Sequence, residues 1–258
     1  MKKFELVYVC VEPLLPPLYG KVRRRLSAMV ERQAEKPKLL DVGGRKSHYT
    51  IGIPAEVTVT DLPRQSEIQQ KLNLGLTDQI ISRQRMKRSN LSRLLYDDMT
   101  HSTLPTAAFD CVVSVEVLEH VEEDHLFVKE VYRVLKPGGV FLMTTPNGDF
   151  LKNTNPDHKR HYTRKQLHSL LQRYFGEANV EYAIKGGLWH SWGLRSWSPR
   201  RPIQTFLSMI GNGINLMQSS RSSLKNQARG THHLIATARK RSDDDASLTV
   251  QADLRRVS

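Results

Sequence analysis

Short apolar runs and amphipathic stretches alternate along most of the chain. Residues 38–42 predict a first buried strand, an apolar run that carries Asp41 and hands over to Gly43 and Gly44. Glycines at such a point permit a tight turn and a close approach of backbone to a ligand, because no Cβ stands in the way. Val57 to Thr60 predict a second strand ending at Asp61, broken by Leu62-Pro63. Leu94 to Tyr96 predict a third, ending at Asp97-Asp98. Phe109 to Val115, apolar and rich in β-branched residues, predict a fourth that is buried on both faces. Leu126 to Leu135 have helical spacing. Lys136-Pro137-Gly138-Gly139 should stop that helix, and Val140 to Thr144 predict the fifth strand. Thr163 is placed to cap a helix whose apolar face is Leu167, Leu170 and Leu171. Val180 to Ile184 and His233 to Ala238 read as two last strands. Strands alternating with helices at this spacing predict an α/β fold with a doubly wound, parallel sheet.

The flanks are less regular. Residues 1–36 read as an N-terminal extension, a short apolar strand or arm leading into a helix from about Leu18 to Ala34. Residues 64–92 are polar and basic and read as helix plus loop. The main domain is expected over 37–240, interrupted by an insertion at 186–230, with a disordered tail over 241–258. A chain of 258 residues is long enough for one substantial core. Its net charge of +13 favours acidic partners such as nucleic acid, an anionic membrane surface or a phosphorylated substrate. Cys10 and Cys111 are too few and too far apart for a disulfide framework or a zinc cluster, which fits a reducing cytoplasm. Glu5, Glu12 and the prolines that follow argue against a secretory signal, and no window approaches the roughly 18 apolar residues of a membrane span. The expectation is a cytoplasmic protein, with peripheral membrane contact as one reading of its insertion.

Asp41, Asp61 and Asp97 or Asp98 follow three successive strands, whose carboxyl ends border one crevice in a doubly wound sheet. A carboxylate after the second strand suits the two hydroxyls of a ribose. The stretch 104–146 contains Phe-Asp-Cys-Val-Val-Ser-Val-Glu-Val-Leu-Glu-His-Val and then Arg-Val-Leu-Lys-Pro-Gly-Gly. With these motifs the chain resembles the class I S-adenosylmethionine-dependent methyltransferases, in particular their broad type 11/23 group acting on small molecules and quinones. The resemblance covers about 38–185, with 231–239 as the last strand. It implies a Rossmann-like sheet of seven strands with the last one antiparallel, and S-adenosylmethionine as cofactor. It also implies that Asp41, Gly43 and Gly44 form the cofactor loop and that Asp61 binds the ribose. Asp98, with Asp97 as the alternate, would lie beside the adenine with Met99. Ser114, Val115 and Glu116 would face the methionine part or the acceptor. Arg45 and Ser47 occupy positions where the family has further glycines, a departure in the loop itself. A nicotinamide-dependent dehydrogenase would need G-x-G-x-x-G, which residues 43–48 do not supply.

Methyl transfer from a sulfonium is an in-line displacement, and a hydroxyl acceptor also needs a base or a metal. His120, His158 and His161 are the candidate catalytic residues, with Tyr162 beside them. Glu116, Glu119, His120 and His158 resemble the metal site of small-RNA 2′-O-methyltransferases, which leaves a metal-assisted alternative open. In many relatives without a metal the same Glu and His pack under the loop. The insertion holds Trp189, Trp192 and Trp197 interleaved with Arg195, Arg200 and Arg201. Ile203, Phe206, Leu207, Ile210, Ile214 and Met217 then recur at helical spacing. It reads as a lid over a small-molecule pocket, as an interfacial helix at a membrane, or as a surface for nucleic acid, the last having no recognisable RNA module beside it. The function expected is methyl transfer, to oxygen, on a small-molecule, sugar or lipid-linked acceptor. A non-catalytic binding module on the same fold is the alternative of another class.

Overall fold

The computed structural model describes residues 2–31, 35–63, 77, 88–195 and 197–242. Helices α1 (Lys3–Val11) and α2 (Pro17–Val30) precede strand β1 (Lys38–Val42). Then come β2 (Glu56–Asp61), β3 (Leu91–Tyr96), β4 (Phe109–Val115), α3 (Asp124–Val134) and β5 (Leu135–Pro146). The chain continues through α4 (Arg164–Gln172), β6 (Glu177–Lys185), α5 (Leu188–Gly193), α6 (Pro202–Ser219) and β7 (Thr231–Arg239). The seven strands form one sheet in the order β3-β2-β1-β4-β5-β7-β6. β7 runs antiparallel to both β5 and β6, as expected for the last strand, while the β1, β2, β3, β4 and β5 pairings are parallel.

The order reverses between β1 and β4, and there the carboxyl ends of adjacent strands diverge and leave a crevice. Register aligns those ends: Val42 pairs with Thr60 on one side and Ser114 on the other. One face of the sheet packs Leu40, Val112 and Phe141 against Phe127, Val128 and Val131 of α3 and Leu167 and Leu171 of α4. The other packs Leu39, Val57 and Val113 against Leu18, Val22, Leu26 and Val30 of α2. The helix of the N-terminal segment therefore closes one side of the core.

Residues 3–11 form a helix and not the expected strand or arm. Their valines favour a strand, but the segment pairs with no strand of the sheet, and propensity yields to tertiary context. Glu5 accepts from the Lys2 backbone N–H at 2.6 Å, closing the first turn, and takes Ser89 N–H at 2.7 Å. A second difference lies at Lys136-Pro137-Gly138-Gly139. The strand starts already at Leu135 and runs through these residues, with an irregular register opposite Phe109 to Cys111 and Gly138 at φ +74°. Thr163 caps α4 as expected, its Oγ1 accepting from Gln166 N–H at 3.2 Å. The basic connection expected as helix plus loop lies outside the described residues over 64–76 and 78–87, as does the tail from 243 on.

In α6 the helical spacing of the apolar residues is present, but the helix faces the opposite way from a lid packed by that stripe. Its buried residues are Ser208, Gly211, Asn212, Asn215 and Ser219. No helix among the described residues is long and apolar enough to cross a membrane.

Candidate active site

The loop after β1 is built around two glycines for different reasons. Gly43 has φ +69°, and a Cβ there would stand 2.5 Å from Val117 Cγ2. A Cβ on Gly44 would collide with the carboxyl group of Asp41. Asp41 is fully buried behind the loop. It accepts from Tyr49 Oη at 2.8 Å and from Thr50 Oγ1 at 3.1 Å, and Arg88 donates to the same Thr50 hydroxyl at 2.7 Å. Burial pushes the Asp41 carboxyl up to about 6 against these hydrogen bonds and the Arg88 charge. Arg45 and Ser47, at the positions of the missing glycines, are both buried, and Ser47 Oγ lies 3.2 Å from Thr50 Oγ1. A polar bracket thus takes over the support of the loop. The N-terminal helices lean on it as well: Tyr19 stacks on Tyr49 with ring centres 6.2 Å apart.

A cavity of about 370 Å³ opens at the switch point. Gly43 follows β1, Asp61 ends β2, Asp97, Asp98 and Met99 follow β3, and Glu116 follows β4; all line this one cavity. His120 and Phe127 extend its wall. Asp41, Gly44, Ser114, His158 and His161 are not among the lining residues. Asp98 Oδ1 accepts from Thr100 N–H at 2.9 Å and from its hydroxyl at 2.8 Å. Asp97 Oδ1 accepts likewise from Thr103, at 3.0 and 3.1 Å. Its Oδ2 is buried and has no hydrogen-bond partner among the described residues. An orphaned acceptor in a cavity wall calls for a donor from a ligand. The Gly43 cradle and this acid row fit an adenosyl group with its ribose diol and exocyclic amine.

Glu116 sits in a left-handed backbone conformation, φ +54°. Thr144 Oγ1 donates to its Oε1 at 2.8 Å, and His233 Nδ1 lies 3.2 Å from its Oε2. Burial works to raise this carboxyl, but His233, Thr144 and the more distant His158 outweigh it and hold it below the usual carboxylate range. An ionised acid on the cavity wall favours a cationic ligand. Behind His233 lie His232 and His190, the His190 and His232 rings 4.3 Å apart. Burial, reinforced by His232 and His233, pulls His190 down to about 3.

The three expected catalytic histidines form a file of rings. His120 is on the cavity wall, with Nδ1 3.0 Å from the Asp157 carbonyl. His158 meets it edge-on at 4.7 Å, and His158 Nδ1 lies 2.8 Å from His161 Nε2. Burial, then His120 and His161, pulls His158 down. Tyr162 Oη donates to Asp124 at 2.7 Å, and burial together with that carboxylate raises its phenol far out of the range of a base. Glu119, His120 and His158 bring one ligand atom each within 4.8 Å of one another. Glu116 stands outside that group. Burial, then the charge of Glu116, raises the Glu119 carboxyl well above the ordinary value, and Thr145 Oγ1 donates to it at 3.1 Å.

Three participants escaped the sequence reading: His233, His190 and the free oxygen of Asp97. A signal existed for the first. In an antiparallel last strand the N-terminal end lies at the carboxyl edge of its neighbour, and His233 duly pairs with Pro146.

A family model described as "Methyltransferase domain" matches residues 41–143. A "Probable S-adenosylmethionine-dependent methyltransferase" of Mycolicibacterium smegmatis is 36% identical over 110 residues, which are 41% of this chain and 41% of that protein. The 2-methyl-6-phytyl-1,4-hydroquinone methyltransferase of a Synechocystis species is 33% identical over 80 residues, 28% of this chain and 25% of its own. The match thus spans less than half the length of these curated relatives. The crystal structure of an S-adenosylmethionine-dependent methyltransferase from Archaeoglobus fulgidus superposes with a TM-score of 0.53 at 16% identity, covering 86% of this chain and 94% of that one. This last likeness concerns the fold. Sheet order, glycine cradle, acid row and the match over residues 41–143 together support a class I S-adenosylmethionine-dependent methyltransferase.

Proposed function

We propose that this protein transfers the methyl group of S-adenosylmethionine to an oxygen atom of a small-molecule, sugar or lipid-linked acceptor. The observation that carries the reading is the convergence of Gly43, Asp61, Asp98, Met99 and Glu116 on one cavity at the switch point of the sheet. When bound, S-adenosylmethionine supplies a methyl carbon already activated by a sulfonium. Asp61 would receive the ribose hydroxyls, Asp97 Oδ2 and Asp98 the adenine side, and ionised Glu116 the cationic end. His120 is the group on the cavity wall that takes the hydroxyl proton as the acceptor oxygen bonds to carbon. The sulfonium would serve as the leaving group, keeping the electron pair of the carbon–sulfur bond that the new carbon–oxygen bond replaces. His158 and His161 stand behind His120 as the proton's next stations. The named hydroquinone relative acts on a lipid-soluble aromatic acceptor, which supports a substrate of that kind.

The test uses tritiated S-adenosylmethionine with polar and lipid extracts as acceptors. The reading expects transfer of label, its release as methyl iodide by hydriodic acid, and its loss in His120→Ala with ligand binding retained. Transfer that survives in His120→Ala, or label that resists cleavage, contradicts it. One observation favours a metal-assisted transfer to an RNA 2′-hydroxyl instead, the Glu119, His120 and His158 group with its mixed oxygen and nitrogen donors. Metal analysis of purified protein beside His120→Ala and His158→Ala decides between the two. A divalent ion lost in both variants supports the metal.

A further inference from the structure

Helix α6 is amphipathic in the inverted sense. At about 100° per residue, Ile203, Phe206, Ile210 and Met217 fall within one narrow stripe. That stripe faces solvent: Ile203 and Met217 are each 75% exposed and Phe206 63%. The opposite face, buried on the domain, is polar or small. Ser208 Oγ donates to the Gly193 carbonyl at 2.9 Å, Asn212 Nδ2 to that of Leu14 at 2.8 Å, and Asn215 Nδ2 to that of Lys185 at 2.6 Å. Ser219 Oγ accepts from Lys185 N–H at 2.9 Å. These bonds fix the rotation of the helix, so the apolar outward face is built in. Helix α1 also exposes apolar side chains, Phe4, Leu6, Val7 and Val9, while burying Glu5 and Tyr8. The Asn212–Leu14 bond ties α6 to the turn that follows α1.

Basic groups stand at both ends of the stripe. At the N-terminal end Arg195, Arg200 and Arg201 line a groove of about 430 Å³ with Ile203 and Leu207. An adjoining groove of about 460 Å³ is apolar, formed by Trp197, Phe206 and Met209 among others. At the C-terminal end Lys21, Arg24 and Arg221 line another groove, of about 480 Å³. Lys21 Nζ reaches the Ser219 carbonyl there at 3.3 Å. Residues 186–230 contain six Arg or Lys and no Asp or Glu.

We propose that α6 forms a surface that docks side-on to a lipid bilayer containing anionic phospholipids. The apolar stripe enters the acyl boundary and the flanking cations meet phosphate headgroups. Two other occupants satisfy only half of the surface. A second copy of the chain would set arginine rim against arginine rim. A nucleic acid would neutralise the cations and leave Ile203, Phe206 and Met217 in water. A bilayer covers both. The 18-residue helix, about 27 Å long at 1.5 Å per residue, lies on the membrane and does not cross it.

All three tryptophans of the chain, Trp189, Trp192 and Trp197, lie in the insertion, so intrinsic indole fluorescence reports on it alone. The experiment adds the full chain to vesicles of phosphatidylcholine with or without phosphatidylglycerol. It reads co-sedimentation and quenching by lipids brominated on the acyl chain. Binding and quenching are expected only with phosphatidylglycerol, falling at least about tenfold in Ile203→Glu/Phe206→Glu. A similar fall is expected in Arg200→Glu/Arg201→Glu. Both variants should keep the parent's circular dichroism and melting temperature, because these side chains are exposed. Absent binding, equal binding to neutral vesicles, or binding unchanged in either variant overturns the proposal. So does a dimer in sedimentation velocity that Ile203→Glu/Phe206→Glu abolishes.

Discussion

His233 Nδ1 stands 3.2 Å from Glu116 Oε2, and through this contact the antiparallel last strand reaches the ligand cavity. Thr144 on β5 holds the other oxygen of the same carboxylate at 2.8 Å. A residue in a left-handed backbone conformation is thereby clamped from two neighbouring strands, and its charge is kept. Glu116→Gln keeps the shape and removes the charge. It is expected to weaken S-adenosylmethionine at least about tenfold, or roughly 1.4 kcal/mol. His233→Ala should weaken it less, by a few-fold, because Thr144 still orients the carboxylate. Calorimetric titration of the two variants checks the order. Equal affinities in parent and Glu116→Gln would remove Glu116 from the binding site.

Gly43 is constrained twice, by φ +69° and by Val117. Gly43→Ala should lower the melting temperature by the equivalent of at least about 1 kcal/mol and abolish ligand binding. Adding Val117→Ala relieves the collision but not the backbone strain. The double variant is expected to recover part of the stability. A Gly43→Ala protein with parental stability and affinity would show that the loop is free to rearrange.

Asp41 makes a pH-dependent contribution whose sign is opposite to that of a salt-bridged acid. Its native value of about 6 lies above the ordinary 3.8, so the folded state holds its proton more tightly than the unfolded one. The associated stability is complete below about pH 4 and is lost as pH rises through about 6, up to roughly 3 kcal/mol. Asp41→Asn cannot ionise and still offers an acceptor to Tyr49 and Thr50. Its melting temperature relative to the parent should climb between about pH 4 and pH 7 and level off above. Thermal scans of both proteins measure this, and a difference that does not vary with pH would rule out a buried charge at this position.

His190 behaves in the reverse way. Burial, then His232 and His233, hold its native value near 3, below the ordinary 6.5, while Glu116 acts weakly against them. Its contribution is present above about pH 6.5 and is lost progressively as pH falls toward 3. His190→Gln should be less stable than the parent near pH 8, having lost the ring packing, and the gap should narrow by about pH 5. Melting curves at the two pH values test this; a gap that widens in acid contradicts it.

How much of this was visible in the residues follows from where the information lies. Phe109 to Val115 could be placed to the residue, because a β-branched run buried on both faces has few alternatives. Asp61 and one of Asp97 or Asp98 could be placed at the cavity because strand ends in this topology converge, and Glu116 through the family resemblance. Residues 3–11 misled because a local preference for a strand gives way where the segment joins no sheet. Asp41 stands at the expected point of the chain, yet its side chain turns away from the cavity toward Tyr49 and Thr50, partners eight and nine positions on. For α6 the period was legible and the facing was not. Which stripe is buried depends on carbonyls of Leu14, Lys185 and Gly193, which periodicity cannot register. His233 illustrates the same limit, since its partner Glu116 is distant in sequence and meets it only through sheet register.

The central claim is that the carboxyl ends of β1 to β4 hold S-adenosylmethionine, with Asp61 on the ribose and Asp98 beside the adenine. Isothermal titration of the purified chain with S-adenosylmethionine, in parallel with Asp61→Ala and Asp98→Ala, tests it most directly. The account predicts one binding site in the parent and a loss of affinity of at least about tenfold in each variant. Undiminished affinity in both variants, or no binding by the parent, would contradict it.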